Sequence, residues 1–249
     1  YGELNRLLYH MDLGMALHLA GDYRRSAVQF ERADRLGADL YTRSLSSETG
    51  ALLTNDLVIP YAGEDFERIL VNVFASLNYL FVGEVEEALV EVRRIDARLR
   101  SYRENRAGRY RAEGFALYLS GLLYEVAGAL DDALIAYRKA YATYGAGAED
   151  FGTLPPKALA RDVVRLAGMM EMEASPDVLA AAGGTIGPGP RGEIVVLHYF
   201  GPGPRKIERV IEVSLSRGMA MAQAVDVHTD DEKKLQQSFS MAKGMVFDN

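Results

Sequence analysis

Cysteine and tryptophan are both absent from this chain of 249 residues. Without cysteine there is no disulfide, no thiolate metal ligand and no cysteine nucleophile, and either redox compartment suits such a chain. No apolar run reaches the roughly 20 residues that span a bilayer. The most apolar stretch, Leu117 to Val126, is interrupted by Ser120, Gly121 and Glu125 and follows a helical period. Positive charge is in short supply: 28 Lys and Arg stand against 35 Asp and Glu, for a net charge of −7. That balance, with no basic tail, argues against nucleic acid, whose phosphates must be neutralised by Lys and Arg. Histidine is sparse and scattered. His10 fits a half-buried packing position, His18 the surface of its own repeat and His198 a strand. His228, with Asp226, Asp230 and Asp231, has no recognised ligand spacing and reads as a solvated helix start. Phosphate-loop and nucleophile-elbow patterns are also missing. Gly183-Gly184 and the run from Gly201 to Pro204 lack the Lys-Ser/Thr and the strand–helix context of a phosphate loop. No cofactor and no metal are expected. What the chain has is 49% hydrophobic and 9% aromatic residues, enough for a sizeable core.

One helical pattern recurs three times. The first copy reads Leu13, Gly14, Leu17, a turn at Gly21-Asp22-Tyr23, then Ser26, Phe30 and Ala33. The second reads Ala75, Ser76, Tyr79, Gly83-Glu84-Val85, Ala88, Val92 and Ile95, and the third Ser120, Gly121, Tyr124, Gly128-Ala129-Leu130, Ala133, Tyr137 and Ala140. Small residues at set places let two helices approach, and large ones fill the groove between them. This is the signature of tetratricopeptide-like helix–turn–helix units. The turn glycines are unevenly spaced, 62 positions from Gly21 to Gly83 and 45 from Gly83 to Gly128, against roughly 34 in an uninterrupted array. Extra sequence therefore sits between the copies, and in solenoids such insertions gather on one face, often the binding face.

Along the chain, helices are expected over 4–20 and 23–36, resuming over 38–53, then over 65–82 with 85–104, and over 107–127 with 130–143. Asp65 is the expected cap of the third helix, with Arg68 three residues on, so only half of a capping box is present. The charged end of the fourth helix, with Arg93, Arg94, Asp96, Arg98 and Arg100, reads as a solvated face. Residues 144–152 read as a linker, 157–173 as a capping helix begun by Pro155-Pro156, and 176–181 as a short helix. The Gly/Pro run to Pro190 marks a boundary. Beyond it, residues 193–200 and 207–213 are rich in Ile, Val, Leu and Tyr and read as a hairpin, and 230–243 as a helix. A hairpin alone is marginal and needs another strand, a helix or another chain. The fold class is thus mainly α, a helical-hairpin array over 1–181 in right-handed stacking. A Gly/Pro linker follows over 182–191, then a small β-hairpin-containing region over 192–249.

The first insertion places Asn55, Asp56, Tyr61, Glu64 and Glu67 around Pro60 and Gly63. Polar side chains on a rigid loop beside a helical wall can hold a ligand or peptide. The same residues also serve a purely structural role, with Asn55 and Asp56 capping helices and Tyr61 plugging the core, and the sequence leaves both open. Glu91 and Arg94 complete the candidate set.

Three blocks here, Gly50 to Asp56 with Pro60-Tyr61, Gly63 to Arg68, and Leu89 to Arg94, together resemble a family of uncharacterised bacterial envelope proteins. These are predicted lipoproteins with tetratricopeptide-like repeats, often encoded beside relatives of the curli secretion pore. The turn at Gly21 and the stretch from Glu193 to Val213 are similar to theirs as well. The resemblance implies a lipid anchor on a cysteine preceding Tyr1, a periplasmic position at the outer membrane, and curli-secretion-pore-like lipoproteins as partners. It brings no activity with it. The chain begins at Tyr1 and not at Met, so the lack of a targeting signal carries no information. Two readings follow: a non-catalytic scaffold for an envelope assembly, or a small-molecule or glycan-binding protein or enzyme built on residues 53–68 with Glu91 and Arg94. A carboxylate can act as acid or base only where burial raises its pKa.

Overall fold

The computed structural model describes residues 2–47, 60–105, 114–151, 154–184, 195–197, 209–216 and 219–226. The chain divides into two compact units, Tyr1–Arg191 and Gly192–Asn249. The first unit is helical, in the order α1 (Arg6–Leu19), α2 (Tyr23–Ser47), α3 (Asp65–Phe81), α4 (Val85–Asn105), α5 (Gly114–Val126), α6 (Leu130–Phe151), α7 (Lys157–Met169) and α8 (Pro176–Ala182). Each helix packs on its successor. The pairs α1–α2, α3–α4 and α5–α6 are joined in series through α2–α3, α4–α5 and α6–α7, and α8 lies on α7.

The three turns are built alike. Gly21, Gly83 and Gly128 have φ of 78°, 79° and 76°, a left-handed conformation that costs other residues about 1 kcal/mol or more. The residue after each glycine donates its N–H to a carbonyl five positions back: Asp22 to Leu17 at 2.9 Å, Glu84 to Tyr79 at 2.8 Å and Ala129 to Tyr124 at 2.9 Å. This is the Schellman closure, which satisfies the carbonyls left over at a helix end.

Inside each pair, sizes are matched across the helix contact. Gly14 lies under the Phe30 ring and Gly121 under the Tyr137 ring; a Cβ at Gly121 would come within 2.3 Å of that ring. In the second pair the equivalent positions are Ser76 and Val92, a larger residue facing a smaller one, and both are fully buried. Ser26, Ala88 and Ala133, which occupy one shared position of the three copies, are fully buried as well. Leu7, Phe30, Ala33, Val71 and Ala75 form the core shared by α1, α2 and α3, with Met11, Leu36, Tyr61 and Phe74 against it. A buried Leu or Phe contributes about 1.5–3 kcal/mol through loss of apolar surface to water.

Several boundaries differ from expectation. The second helix does not stop at 36: α2 runs unbroken through Gly37, which is buried against Leu7 and the Arg68 side chain. A mid-helix glycine costs about 1 kcal/mol, and packing along α3 offsets it. Residues 144–151 are not a linker either. α6 continues to Phe151, because the Tyr144 ring is seated over Gly114 at the start of α5. α7 ends at Met169, earlier than the expected 173. The N-cap of α3 is Glu64 and not Asp65, since Glu67, and not Arg68, is the residue that can return a carboxylate to the cap N–H. Residues 48–53 and 107–113, also expected to be helical, lie outside the described residues.

In the second unit, β1 (Arg209–Ser216) pairs antiparallel with β2 (Met219–Asp226), Arg209 opposite Asp226 and Ser216 opposite Met219. The expected partner of β1 was 193–200. Residues 195–197 of that stretch are not strand, and the remainder, together with 230–243, lies outside the described residues. β2 escapes sequence reading because three of its eight residues are alanine, which is depleted in strands.

Candidate functional site

The seven residues singled out from sequence separate into three groups. Asn55 and Asp56 lie outside the described residues. Tyr61, Glu64 and Glu67 come together at the start of α3. Gly63, at φ 79°, turns the chain so that Glu64 enters the helix in an extended conformation. Glu67 then reaches back to accept the Glu64 backbone N–H at 2.7 Å and the Tyr61 hydroxyl. The Tyr61 N–H donates to the Leu4 carbonyl at 2.9 Å. Burial, then the Glu67 carboxylate, drives the Tyr61 phenol pKa well above its ordinary value. Glu67 Oε2 thus takes both the cap N–H and the Tyr61 hydroxyl, and the Tyr61 backbone is tied to the N-terminal segment.

Tyr61→Ala is expected to destabilise the protein by about 2 kcal/mol, since it removes half-buried aromatic surface and the hydroxyl on Glu67. Arg100→Ala, at a largely exposed site paired with Asp96, should change stability by less than about 0.5 kcal/mol. Urea denaturation compares the two, and equal midpoints would mean that residues 60–64 are only a connector. Arg98, expected on the solvated face, does not belong with such controls. It is mostly buried and pairs with Asp34, because the α4 face that carries it is turned onto α2.

Glu91 and Arg94 belong to a different cluster, a polar seam along α3 between α2 and α4. Asn72 occupies its centre, fully buried. Its amide donates to Glu91 Oε2 at 2.8 Å and to Asp34 Oδ1 at 3.1 Å. Arg94 donates to Glu91 Oε1 at 2.7 Å and stands 3.7 Å from Asp34. Two turns above Asn72, the Tyr79 hydroxyl donates to Glu31. Glu91 is only 3% exposed. Burial raises its pKa, while Asn72 and Arg94 pull it back. Each of its oxygens accepts one of these donors, so Glu91 links α4 to Asn72 of α3. Asp34, Asn72 and Arg98 were not singled out from sequence. The available signal was Asn72 itself, an amide on the otherwise apolar face of α3 between Ile69 and Ala75.

A third polar group joins α5, α6 and α7. Arg165 makes a two-pronged contact to Glu125, at 2.7 Å and 2.9 Å, and reaches Asp162 at 3.1 Å. Tyr118 donates to Asp162 at 2.7 Å and Tyr137 to Glu125 at 2.9 Å. His18, expected at the surface, is buried: Nδ1 lies 2.7 Å from Asn78 Oδ1, and the ring meets Tyr23, Phe74 and Phe81. The reason is that α3 closes over its face of α1. His10 is half-buried, 2.9 Å from Gln29. An open cleft of about 420 Å³ lies between α1 and α2 and is lined by Arg6, His10, Arg32, Arg35, Leu36 and Asp39, with none of Tyr61, Glu64, Glu67, Glu91 and Arg94 among these.

Among the described residues, no three His, Cys, Asp or Glu side chains are grouped to hold a metal ion, and no helix is long and apolar enough to cross a membrane. The chain matches no protein-family profile and no curated protein sequence.

Proposed function

We propose that this protein is a non-catalytic scaffold, a tetratricopeptide-like array that holds a protein partner within a bacterial envelope assembly. The observation that carries the reading is the pairing of the candidate side chains with one another. Glu67 is bonded to Tyr61 and the helix cap, and Glu91 to Asn72 and Arg94, so these polar groups tie the helices of the array together. Serial packing of helix pairs, each contacting only its neighbours, supports it, since that architecture presents long surfaces for partners. The envelope position, the lipid anchor and the curli-secretion-pore-like partners rest on the sequence resemblance. The β-containing unit offers a second contact mode, because an exposed strand edge can accept a strand from a partner.

Cross-linking and capture from detergent-solubilised envelopes tests this reading. The full chain should retain a discrete envelope protein. A chain lacking residues 192–249 should keep its helical circular-dichroism signal; capture that it retains places the contact on the helical array, and capture that it loses places the contact on the β-containing unit. Failure of the full chain to retain any envelope protein would overturn the scaffold reading.

A further inference from the structure

Arg68, in the first turn of α3, is 7% exposed, and its Nε and Nη1 are buried with no hydrogen-bond partner among the described residues. It stacks on the Tyr41 ring, 4.6 Å from guanidinium carbon to ring centroid. Every other arginine of the seam is bonded to a carboxylate: Arg94 to Glu91, and Arg98 to Asp34. Burial disfavours the charge of Arg68; Tyr102, then Asp34 and Asp65, act on it favourably through space, and Arg98 opposes it with like charge. Buried donors on a charged group cost more than neutral ones when unmet, so a native chain that keeps such a group has a use for it. A guanidinium carries five N–H donors and no acceptor, so what completes it must be an acceptor, and a negative one is favoured. The backbone beside it is trimmed to glycine: a Cβ at Gly37 would lie 3.4 Å from Arg68 Nε, and one at Gly63 3.3 Å from its Cγ.

We propose that Arg68, with Arg98 beside it, is the receptor for one small oxyanion, a phosphate or carboxylate group, at the α3 end of the seam. Arg68 supplies the unmet donors and Tyr41 fixes the plane of the guanidinium. Arg98, its side chain 15% exposed and paired with Asp34, adds the second positive charge. The site lies outside the groups assigned to partner contact, so it stands or falls independently of the scaffold reading.

Thermal melting of the whole 249-residue chain tests this, in phosphate, in acetate, and in chloride of matched ionic strength. Wild type should gain about 4 °C in phosphate or acetate at ten times the dissociation constant. Arg68→Met should melt higher than wild type in chloride, because the unmet charge is gone, yet show no oxyanion gain beyond the general salting effect of phosphate. A response to phosphate alone assigns a phosphate group; a response to both assigns any oxyanion, carboxylate included. An equal oxyanion response in wild type and Arg68→Met overturns the site, as it would if a water completes the guanidinium. Should Arg68→Met fail to fold, phosphorus NMR line widths of inorganic phosphate titrated with wild type and Arg68→Lys decide the matter. The lysine, lacking the planar fork, should bind about tenfold more weakly. Equal binding, or none to either, overturns the proposal.

Discussion

Gly121→Ala should be among the most damaging single-methyl changes in this protein. The added Cβ would stand 2.3 Å from two carbons of the Tyr137 ring, and that ring is fully buried with its hydroxyl held by Glu125 at 2.9 Å. It cannot slide without giving up that bond, so α5 and α6 must separate. Overpacking of this kind costs about 1–3 kcal/mol, occasionally more, and alanine's helix preference returns about 1 kcal/mol. With the overpacking cost at the upper end, as a 2.3 Å approach to a pinned ring demands, the net loss of about 2 kcal/mol lowers the melting temperature by roughly 4–8 °C in a chain of this size. Gly21→Ala is the matched control. Nothing lies within 4 Å of its added Cβ, so only the positive φ opposes it, at about 1 kcal/mol. Combining Gly121→Ala with Tyr137→Leu should recover part of the loss. If Gly121→Ala melts no lower than Gly21→Ala, the close contact of α5 with α6 is not what holds the third pair.

Arg165→Met is the second change with a large expected effect, and its size should depend on pH. In the native protein Arg165 bridges Glu125 and Asp162. Burial pushes the Asp162 carboxyl above its usual range, against the pull of Tyr118 and Arg165. Burial also pushes Glu125 upward, but the bonds from Arg165 and Tyr137 outweigh it and hold that carboxyl low. Loss of the cation leaves two carboxylates side by side, one of them buried. Removing one partner of a fully buried pair costs about 3–5 kcal/mol; partial solvent access here reduces the expectation to about 2–3 kcal/mol at neutral pH. The sign of the pH effect follows from linkage. In the variant Asp162 has a folded pKa raised further above its unfolded value, so stability present in acid is lost as pH rises through that folded value. In wild type the depressed Glu125 contributes stability above its unfolded pKa, near 4.3, and loses it on acidification. The two stability curves should therefore converge toward pH 4 and separate toward pH 7. Urea denaturation across that range reads the gap, and a gap of constant size would assign the effect to lost packing and not to charge.

The helix pairs were legible in the sequence because their signals are local and periodic. A turn glycine fixes a left-handed residue, and the small and large positions that follow it are set by 3.6-residue spacing. Ser26, Ala33, Ala88, Ile95, Ala133 and Ala140 are all buried where that spacing put them. Tertiary packing overrode local preference at Gly37, where the helix runs on, and at Tyr144, whose ring pins a glycine-rich turn of α6 onto α5. The seam was less legible. Glu91 and Arg94 stood out as charges on one helix, but Asp34 and Asn72 become partners only when α2, α3 and α4 are side by side, and no spacing within one helix encodes that. Arg68 passed for the failed half of a capping box. Its burial beneath Tyr41 depends on residues 27 positions away in the chain.

Within the first two pairs the second helix is the longer over the described residues: α2 has 25 residues against 14 in α1, and α4 21 against 17. At 1.5 Å per residue, α2 outruns α1 by roughly 16 Å. The irregular spacing of the turn glycines is thus partly absorbed along the helix axes, and stacking from pair to pair is undisturbed. The result is a fringe on the edge opposite the glycine turns, where Tyr41, Arg68 and Tyr102 meet. Such a fringe can lengthen, shorten or change its chemistry from one descendant of the sequence to another while the stack beneath it keeps its register. It is the part of the array where new specificity can arise at least cost to folding.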